Sequence, residues 1–187
     1  VETAADKIIA NRKNSPIVLL SGPSGSGKTT TARKISEELE RKGVHAHYVG
    51  MDDYFVTVDP ATAPRTAEGE IDLESPLCLD MELLNEHFDL LAQGKRIYVP
   101  KYEFSRQMRM FEPSKSIKLK KDEIVVFEGI HALNDMITER HPEAFKLYIS
   151  ARSNVEFNGS VVFKGTWFRL VRRTVRDYNF RGADPAA

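Results

Sequence analysis

The sequence predicts an α/β fold in which helices flank a mainly parallel sheet. Short apolar segments alternate with longer amphipathic ones, as in chains of strands joined by crossover helices. The first apolar segment, Ile17 to Leu20, leads directly into a glycine-rich turn and a helical pattern. At 187 residues the chain fits one globular domain. Because ligands of such sheets bind at the carboxyl ends of the strands, we expect the functional residues there.

The predicted elements alternate along the chain. The N-terminal half is predicted to contain a helix over residues 3–13, a strand at Ile17–Leu20, a helix at Lys28–Lys42 ended by Gly43, a strand at His45–Val49, a long loop over residues 52–78 and a helix at Asp80–Ala92. Loops as long as 52–78 are usually functional in compact domains. We therefore expect this loop to lie over the site.

The C-terminal half continues the alternation. Its predicted elements are strands at Lys95–Val99, Ser116–Leu119, Ile124–Phe127 and Ala144–Ile149, a helix at Leu133–Arg140, a hairpin at Val155–Phe163 around Asn158-Gly159, and a helix at Thr166–Phe180. We divide the single predicted domain into an N-terminal helix (1–14), a core (15–150), a hairpin insertion (151–165) and a lid helix (166–184).

Composition excludes several classes of function. The 27 basic and 27 acidic side chains balance, which gives no argument for nucleic-acid binding. The sequence has no apolar run long enough for a membrane span, so no membrane partner is expected. Cys78 is the single cysteine, which rules out an internal disulfide and favours a cytoplasmic location. The start at Val1 and the end soon after a basic helix lead us to expect a fragment of a longer protein; homo-oligomerisation is left open.

A phosphate-binding motif follows the first strand. The segment Gly22-Pro23-Ser24-Gly25-Ser26-Gly27-Lys28-Thr29 matches G-x-x-x-x-G-K-T/S between a strand and a helix, the context that the P-loop mechanism requires. Glycines let backbone N–H groups converge on phosphate oxygens at a helix N-terminus. We predict a P-loop NTPase fold that binds ATP and Mg²⁺. The predicted nucleotide-binding residues here are Gly22, Ser24, Gly25, Ser26, Gly27, Lys28, Thr29 and Thr30.

Carboxylates at two strand ends complete the predicted site. Lys28 should reach the β- and γ-phosphates, and the Thr29 hydroxyl should bind Mg²⁺. Glu128 ends the apolar strand at 124–127, the position from which an acid holds the metal directly or through water. Asp52 and Asp53 follow the second strand, and we favour Asp52 as the base that accepts an acceptor hydroxyl's proton. Paired acids in a loop also act simply as solvated or capping groups.

These residues resemble the uridine kinase and phosphoribulokinase family over about residues 17–184. Met51-Asp52-Asp53-Tyr54-Phe55 is similar to the family's Asp-Ser-Phe-Tyr segment, and by that match Asp52 is the catalytic base. Phe127-Glu128-Gly129-Ile130 reproduces Phe-Glu-Gly-Ile. The basic run Arg169 to Arg181 is similar to the Arg-Arg-x-x-Arg-Asp lid. The resemblance implies that lid arginines meet the ATP phosphates: Arg172 and Arg173 as catalytic groups, Arg169 and Arg176 as ATP contacts.

The resemblance also implies an acceptor site. Leu73-Glu74-Ser75-Pro76 is similar to the family's Phe-Asp-His-Pro stretch, which would give Glu74 the ribose hydroxyls. Pro100-Lys101-Tyr102-Glu103-Phe104 resembles Pro-x-Tyr-Asp-Phe, whose aromatic side chains, here Tyr102 and Phe104, line the nucleoside pocket. Arg181 and Gln107 are counted with the acceptor contacts. Gln107 replaces a histidine that contacts the base, and Ala183 replaces the second arginine of Arg-Gly-Arg-Asp.

Simpler explanations exist for several of these residues. The lid arginines share one helix face, as a solvated face also would, and Tyr102 and Phe104 have the spacing of core residues. The histidines show no recognisable metal-ligand spacing, so we expect all five, with Cys78, to be structural.

Three functions remain open from the sequence. The leading one is phosphoryl transfer from ATP to a small-molecule acceptor, a uridine or cytidine 5′-hydroxyl first. The others are a kinase of a different small alcohol, such as a sugar phosphate or vitamin precursor, and a non-catalytic ATP-binding switch. Only the kinases need a base such as Asp52.

Overall fold

The computed structural model describes residues 1–150 and 153–181. The helices are α1 Glu2–Asn11, α2 Lys28–Arg41, α3 Met81–Ala92, α4 Asp135–Thr138 and α5 Gly165–Arg181. The strands are β1 Ile17–Ser21, β2 Ala46–Gly50, β3 Ile97–Val99, β4 Tyr102–Glu103, β5 Met108–Arg109, β6 Lys115–Ile117, β7 Ile124–Glu128, β8 Phe145–Tyr148, β9 Val155–Phe157 and β10 Ser160–Phe163. Short 3₁₀ helices lie at Met51–Tyr54 and Pro76–Cys78.

The central sheet has four parallel strands in the order β2-β7-β1-β8. The α/β fold with a parallel sheet flanked by helices is therefore confirmed. The pairing register places both Leu20 of β1 and Gly50 of β2 level with Glu128 of β7. The residues that follow these strands consequently meet at one edge of the sheet, where ligands of such folds bind.

The alternation of side chains along β1 and β7 builds a core on each face of the sheet. Ile17, Leu19 and Phe127 point to the face covered by α3. Val18 and Leu20 point to the opposite face, covered by α1 and α2. Because both faces are buried, these strands read as continuous apolar runs and not as alternating ones. The P-loop motif between β1 and α2 is thus anchored in packed structure at both ends.

Two connections differ from the sequence predictions. The helix predicted at Leu133–Arg140 is a single turn, Asp135–Thr138. The Asn134 side chain accepts a hydrogen bond from Met136 N, which fixes the later start. A hairpin of β4 and β5 was not predicted; its turn contains Gln107 with φ 50°. The hairpin of β9 and β10 is confirmed, with Asn158 and Gly159 at φ 50° and 76°.

No helix in the described part of the chain combines the length and apolar character needed to cross a bilayer. The division into N-terminal helix, core, insertion and lid stays a prediction. Residues 151–152 and 182–187 fall outside the described residues, and with them Ala183, one of the two departures from the family pattern.

Candidate active site

The P-loop occupies the turn between β1 and α2. Gly27, directly before α2, has φ 94°, a left-handed conformation that residues with a Cβ rarely adopt. A Cβ at this position would also lie 3.1 Å from Nη2 of Arg172. Glycine at 27 therefore allows both the turn and the close approach of α5. The buried Ser26 Oγ has no hydrogen-bond partner among the described residues, as expected of a donor aimed at a ligand.

The side chains of Lys28 and Thr29 converge on Glu128. The Thr29 hydroxyl donates to Glu128 Oε2 at 3.1 Å, and Lys28 Nζ lies 3.6 Å from Glu128 Oε1. Both side chains of the ion pair are about 10% exposed. A hydroxyl and a carboxylate side by side are the hard oxygen ligands that Mg²⁺ takes. The residues present therefore fit the predicted metal.

Tyr48 is a member of this group that the sequence analysis missed. Its hydroxyl donates to Glu128 Oε2 at 2.8 Å. Burial, followed by the charge of Glu128, raises the pKa of Tyr48, so the phenol stays protonated and remains a donor; the Asp52 charge acts in the same direction. The alternation of side chains along β2 is the signal that could have identified it. Tyr48 is two residues from Gly50 and so lies on the same face of β2, and Gly50 is level with Glu128.

A cavity of about 450 Å³ separates the P-loop from α5. This volume is in the range of small-molecule sites. Its lining includes most of the predicted nucleotide-binding residues of the P-loop and two of the predicted arginines: Gly25, Gly27, Lys28, Thr29, Thr30, Val171, Arg172, Val175 and Arg176. The cavity, the orphaned Ser26 hydroxyl and the glycine turn together fit a nucleotide with its phosphates on the loop.

The four predicted lid arginines are distributed around the P-loop. Arg169 Nε donates to Ser24 O at 3.4 Å, and Arg176 Nη1 donates to Ser24 Oγ at 3.3 Å. Arg172 lies against Gly27. Arg173 instead pairs with Glu74 at 3.3 Å. The face of α5 therefore contacts both the loop and the predicted acceptor residue. Arg181 ends α5, and its side chain is outside the described residues.

The two candidate bases lie in the 3₁₀ helix that follows β2. Asp52 is exposed, whereas Asp53 is half-buried and burial raises the pKa of its carboxyl. The neighbouring strand end is very close, because a Cβ at Gly129 would lie 2.8 Å from Met51 Cβ. The absence of a side chain at 129 thus lets the segments carrying Glu128 and Asp52 pack together.

The predicted acceptor residues come from two separate segments. Glu74 is exposed in the long loop, and its carbonyl is hydrogen-bonded to His131 Nε2 at 2.8 Å. Tyr102 is buried and belongs to the main core, which favours the packing interpretation for it. Phe104 is 53% exposed and packs on Tyr102 at 5.1 Å between ring centroids. Gln107 is exposed in the β4–β5 turn.

Arg109 organises this region and was missed by the sequence analysis. Its guanidinium donates to Phe55 O, Tyr54 O and Asp80 Oδ2 at 3.2, 2.8 and 2.7 Å. The carboxylate of Asp80 also caps α3 through Leu83 N. Arg109 therefore joins the segment after Asp52 and Asp53, the start of α3 and the β4–β5 hairpin. The register of the hairpin brings Arg109 to those carbonyls, so the spacing of residues in the sequence could not predict these contacts.

Comparisons with known proteins agree with this geometry. The model of the phosphoribulokinase / uridine kinase family matches residues 17–187. The uridine kinase of Deinococcus deserti is 30% identical over 169 residues, 90% of this chain and 72% of that protein. The uridine kinase of Ligilactobacillus salivarius is 30% identical over 178 residues, 93% of this chain and 72% of that protein. Against the uridine kinase of Schizosaccharomyces pombe, 28% identical, the match spans 32% of the longer protein.

Solved structures show the same fold. A Silicibacter sp. TM1040 protein, described as a candidate kinase of a fructose transport system, superposes with a TM-score of 0.66 at 15% identity, covering 98% of this chain and 84% of that one. A Bacillus stearothermophilus protein, described as a candidate uridine kinase, gives 0.57 at 21% identity, covering 78% and 79%. At these identities the likeness concerns the fold alone.

Proposed function

The chain belongs to the phosphoribulokinase and uridine kinase family of ATP-dependent kinases, and we propose that its acceptor is the 5′-hydroxyl of a nucleoside, uridine or cytidine first. The observation that carries the proposal is the meeting of three groups at the carboxyl edge of the sheet. Lys28 and Thr29 converge on Glu128, and the segment carrying Asp52 packs against the residue after Glu128. Phosphoryl transfer needs this combination of phosphate contact, metal ligands and base.

The proposed roles follow from position and chemistry. Thr29 and Glu128 would hold Mg²⁺, whose charge, when bound, offsets that of the phosphates. Lys28 binds the β- and γ-phosphates. Asp52 accepts the proton of the attacking hydroxyl, because it is an exposed carboxylate in the segment that packs against the residue after Glu128. Arg172, against the P-loop turn, stabilises charge that develops on the transferred group.

The proposed acceptor site lies between the long loop and the β4–β5 hairpin. Glu74 takes the ribose hydroxyls, Phe104 offers an exposed ring for stacking, and Gln107 and Arg181 contact the base. Tyr102 supports Phe104 from the core. One observation favours a different small alcohol as a second candidate: Gln107 and Ala183 replace residues that the family uses for the base. Sites that hydrogen-bond a substrate discriminate strongly through those contacts, so these replacements bear on acceptor choice.

The test is ADP release measured across nucleosides and small alcohols, with Asp52→Asn beside the parent protein. Loss of the base should lower kcat by about 10²-fold while ATP and Mg²⁺ still bind. Asp59→Asn, the same change at an exposed position of the following loop, is the control and should retain the parent rate. If no acceptor releases ADP above the water background, the protein is an ATP-binding switch instead. If Asp52→Asn keeps the parent rate on an acceptor, Asp52 is not the base.

Glu74→Gln should differ from Asp52→Asn in kind. A ribose-hydroxyl contact exists in both ground and transition states, so its loss raises the KM of the acceptor by roughly tenfold and leaves kcat near the parent value. An equal fall in kcat for both variants would contradict the assignment of Glu74. Cytoplasmic location, a larger parent protein and the oligomeric state stay predictions.

A further inference from the structure

A second cluster of ligand-type side chains lies at the opposite edge of the sheet. Each of His45, His47 and Glu123 offers a ligand atom, and the three atoms lie within 4.8 Å of one another. Glu40 joins them through a very short contact with His45 Nδ1. Two imidazoles and two carboxylates therefore meet outside the active site.

The fold brings these residues together from three places in the sequence. Glu40 lies in the last turn of α2, and Gly43 turns the chain back toward β2. His45 and His47 are two residues apart in extended chain, which places both side chains on one face. Ala46 pairs with Ile124, so Glu123 lies level with His45 at the start of β7.

Both carboxylates are held in place by backbone donors. Glu123 Oε2 accepts from Lys120 N at 3.1 Å as well as from His47 Nε2 at 2.9 Å. Glu40 Oε1 accepts from Ala46 N at 3.3 Å. Each carboxylate therefore lies within hydrogen-bonding distance of one of the two histidines.

We propose that His45, His47 and Glu123 bind Zn²⁺, with Glu40 as the fourth ligand. Imidazole nitrogen with carboxylate oxygen is a donor set that Zn²⁺ takes in tetrahedral geometry, whereas Mg²⁺ demands mostly oxygen ligands. In tetrahedral geometry, bonds of about 2.0–2.2 Å place neighbouring ligand atoms about 3.3–3.6 Å apart. The side chains of His45 and Glu40 are 53% and 50% exposed, so surrounding atoms leave room for the small adjustment that this spacing requires.

The site is structural and separate from phosphoryl transfer. Glu123 directly precedes β7 and Glu128 ends it, so the backbone positions of the two residues are roughly 16 Å apart along the strand direction. Bound Zn²⁺ would join the end of α2 to the first residues of β2 and to the turn before β7. The competing interpretation is a pair of histidine–glutamate hydrogen bonds with no metal affinity.

The experiment titrates Zn²⁺ against a chromophoric chelator in excess Mg²⁺, which occupies oxygen-rich sites. We expect one Zn²⁺ per chain, a rise in Tm with Zn²⁺, and for Co²⁺ the visible absorption of a tetrahedral complex. His47→Gln and His45→Gln should each weaken Zn²⁺ binding by at least about tenfold, since even outer-shell changes cost 10- to 100-fold. His131→Gln, which removes a histidine elsewhere, should bind Zn²⁺ as the parent does.

Circular dichroism of each variant establishes that it is folded. Because the His45 side chain is exposed, its substitution does not alter the packing of the core. Zn²⁺ binding that is absent or non-stoichiometric in the parent overturns the proposal. So does parent-like binding in both His45→Gln and His47→Gln, or loss of binding in His131→Gln.

Discussion

The two halves of the proposed site are built differently. The nucleotide half comprises Gly22–Thr29, Tyr48 and Glu128. The acceptor half comprises the segments of residues 51–109 that carry Asp52, Glu74 and the β4–β5 hairpin. The first sits on the ends of adjacent parallel strands, and its side chains bond to one another. The second is assembled from loops and a two-residue-strand hairpin, and the guanidinium of Arg109 is one of the groups that connect them. The proposed phosphate site is thus set by the sheet itself, whereas the proposed acceptor site depends on contacts between loops that can change without disturbing the sheet.

The largest expected effect is in the nucleotide half. Lys28→Ala should lower kcat/KM by about 10³-fold or more, because a phosphate contact made in the transition state is lost. The far-UV circular dichroism should stay unchanged. Lys34→Ala, an exposed lysine on the same helix, is the control and should behave as the parent. Unfolding of Lys28→Ala without a specific loss of ATP binding would remove the distinction between the halves.

Substitutions of Arg172 and Arg173 in the proposed lid should have different effects on the two halves of the site. Arg172→Ala, beside the P-loop, should lower kcat by about 10²-fold with little change in the Kd of ATP. Arg173→Ala should lower kcat less and also change the KM of the acceptor, because Arg173 pairs with Glu74. Steady-state kinetics with ATP-binding titrations measure both. Parent-like kcat in both variants would favour the alternative interpretation, in which these arginines simply form a solvated helix face.

Arg109→Met tests the acceptor half alone. Three hydrogen bonds of a half-buried guanidinium are lost and Asp80 loses its partner, so the free energy of unfolding should fall by ~2–3 kcal/mol. The KM of the acceptor should rise while the Kd of ATP stays constant. Arg106→Met, at an exposed arginine of the same hairpin, should change neither quantity. An ATP affinity that fell together with the acceptor affinity would show that the halves are not independent.

The smallest expected effect is that of Tyr48→Phe. One hydrogen bond to Glu128 is removed, a loss of about 1 kcal/mol or roughly fivefold in the Mg²⁺ concentration needed for half-maximal rate. Because the pKa of Tyr48 is raised, this difference should be constant over neutral pH. Tyr98→Phe, at an exposed tyrosine, is the matched control. Identical Mg²⁺ dependence in parent and Tyr48→Phe would exclude a role for the phenol in holding Glu128.

The same division governs what the sequence could predict. The P-loop is contiguous and its flanks are strongly periodic, so the fold, the loop and the place of Glu128 follow from spacing alone. Arg109 has partners 29 or more positions away, which no local pattern records. The alternation along β2 indicates the face on which Tyr48 lies, but it does not identify the partner 80 positions away. The histidines appeared structural for the same reason: His45 and His47 acquire Glu123 only through strand pairing.

Helix α4 shows the opposite limit. The apolar pattern at 133–140 suits a longer helix, but the Asn134 side chain caps the backbone at 136 and fixes a later start. The capping residue Asn134 was visible in the sequence. The residues on both sides of it include good helix formers such as Leu133 and Met136, so the pattern did not mark Asn134 as the start. Element type was predictable here and the boundary was not.

Gly129 has a consequence for anyone who would engineer this protein toward new acceptors. Since a Cβ there would meet Met51 at 2.8 Å, every other amino acid at 129 would push the segment bearing Asp52 away from the strand bearing Glu128. A mutant library that randomises position 129 would therefore consist mostly of inactive members. Variation belongs instead at the exposed Phe104 and Gln107, which lie away from the proposed catalytic groups. At Gln107 the φ of 50° disfavours β-branched replacements.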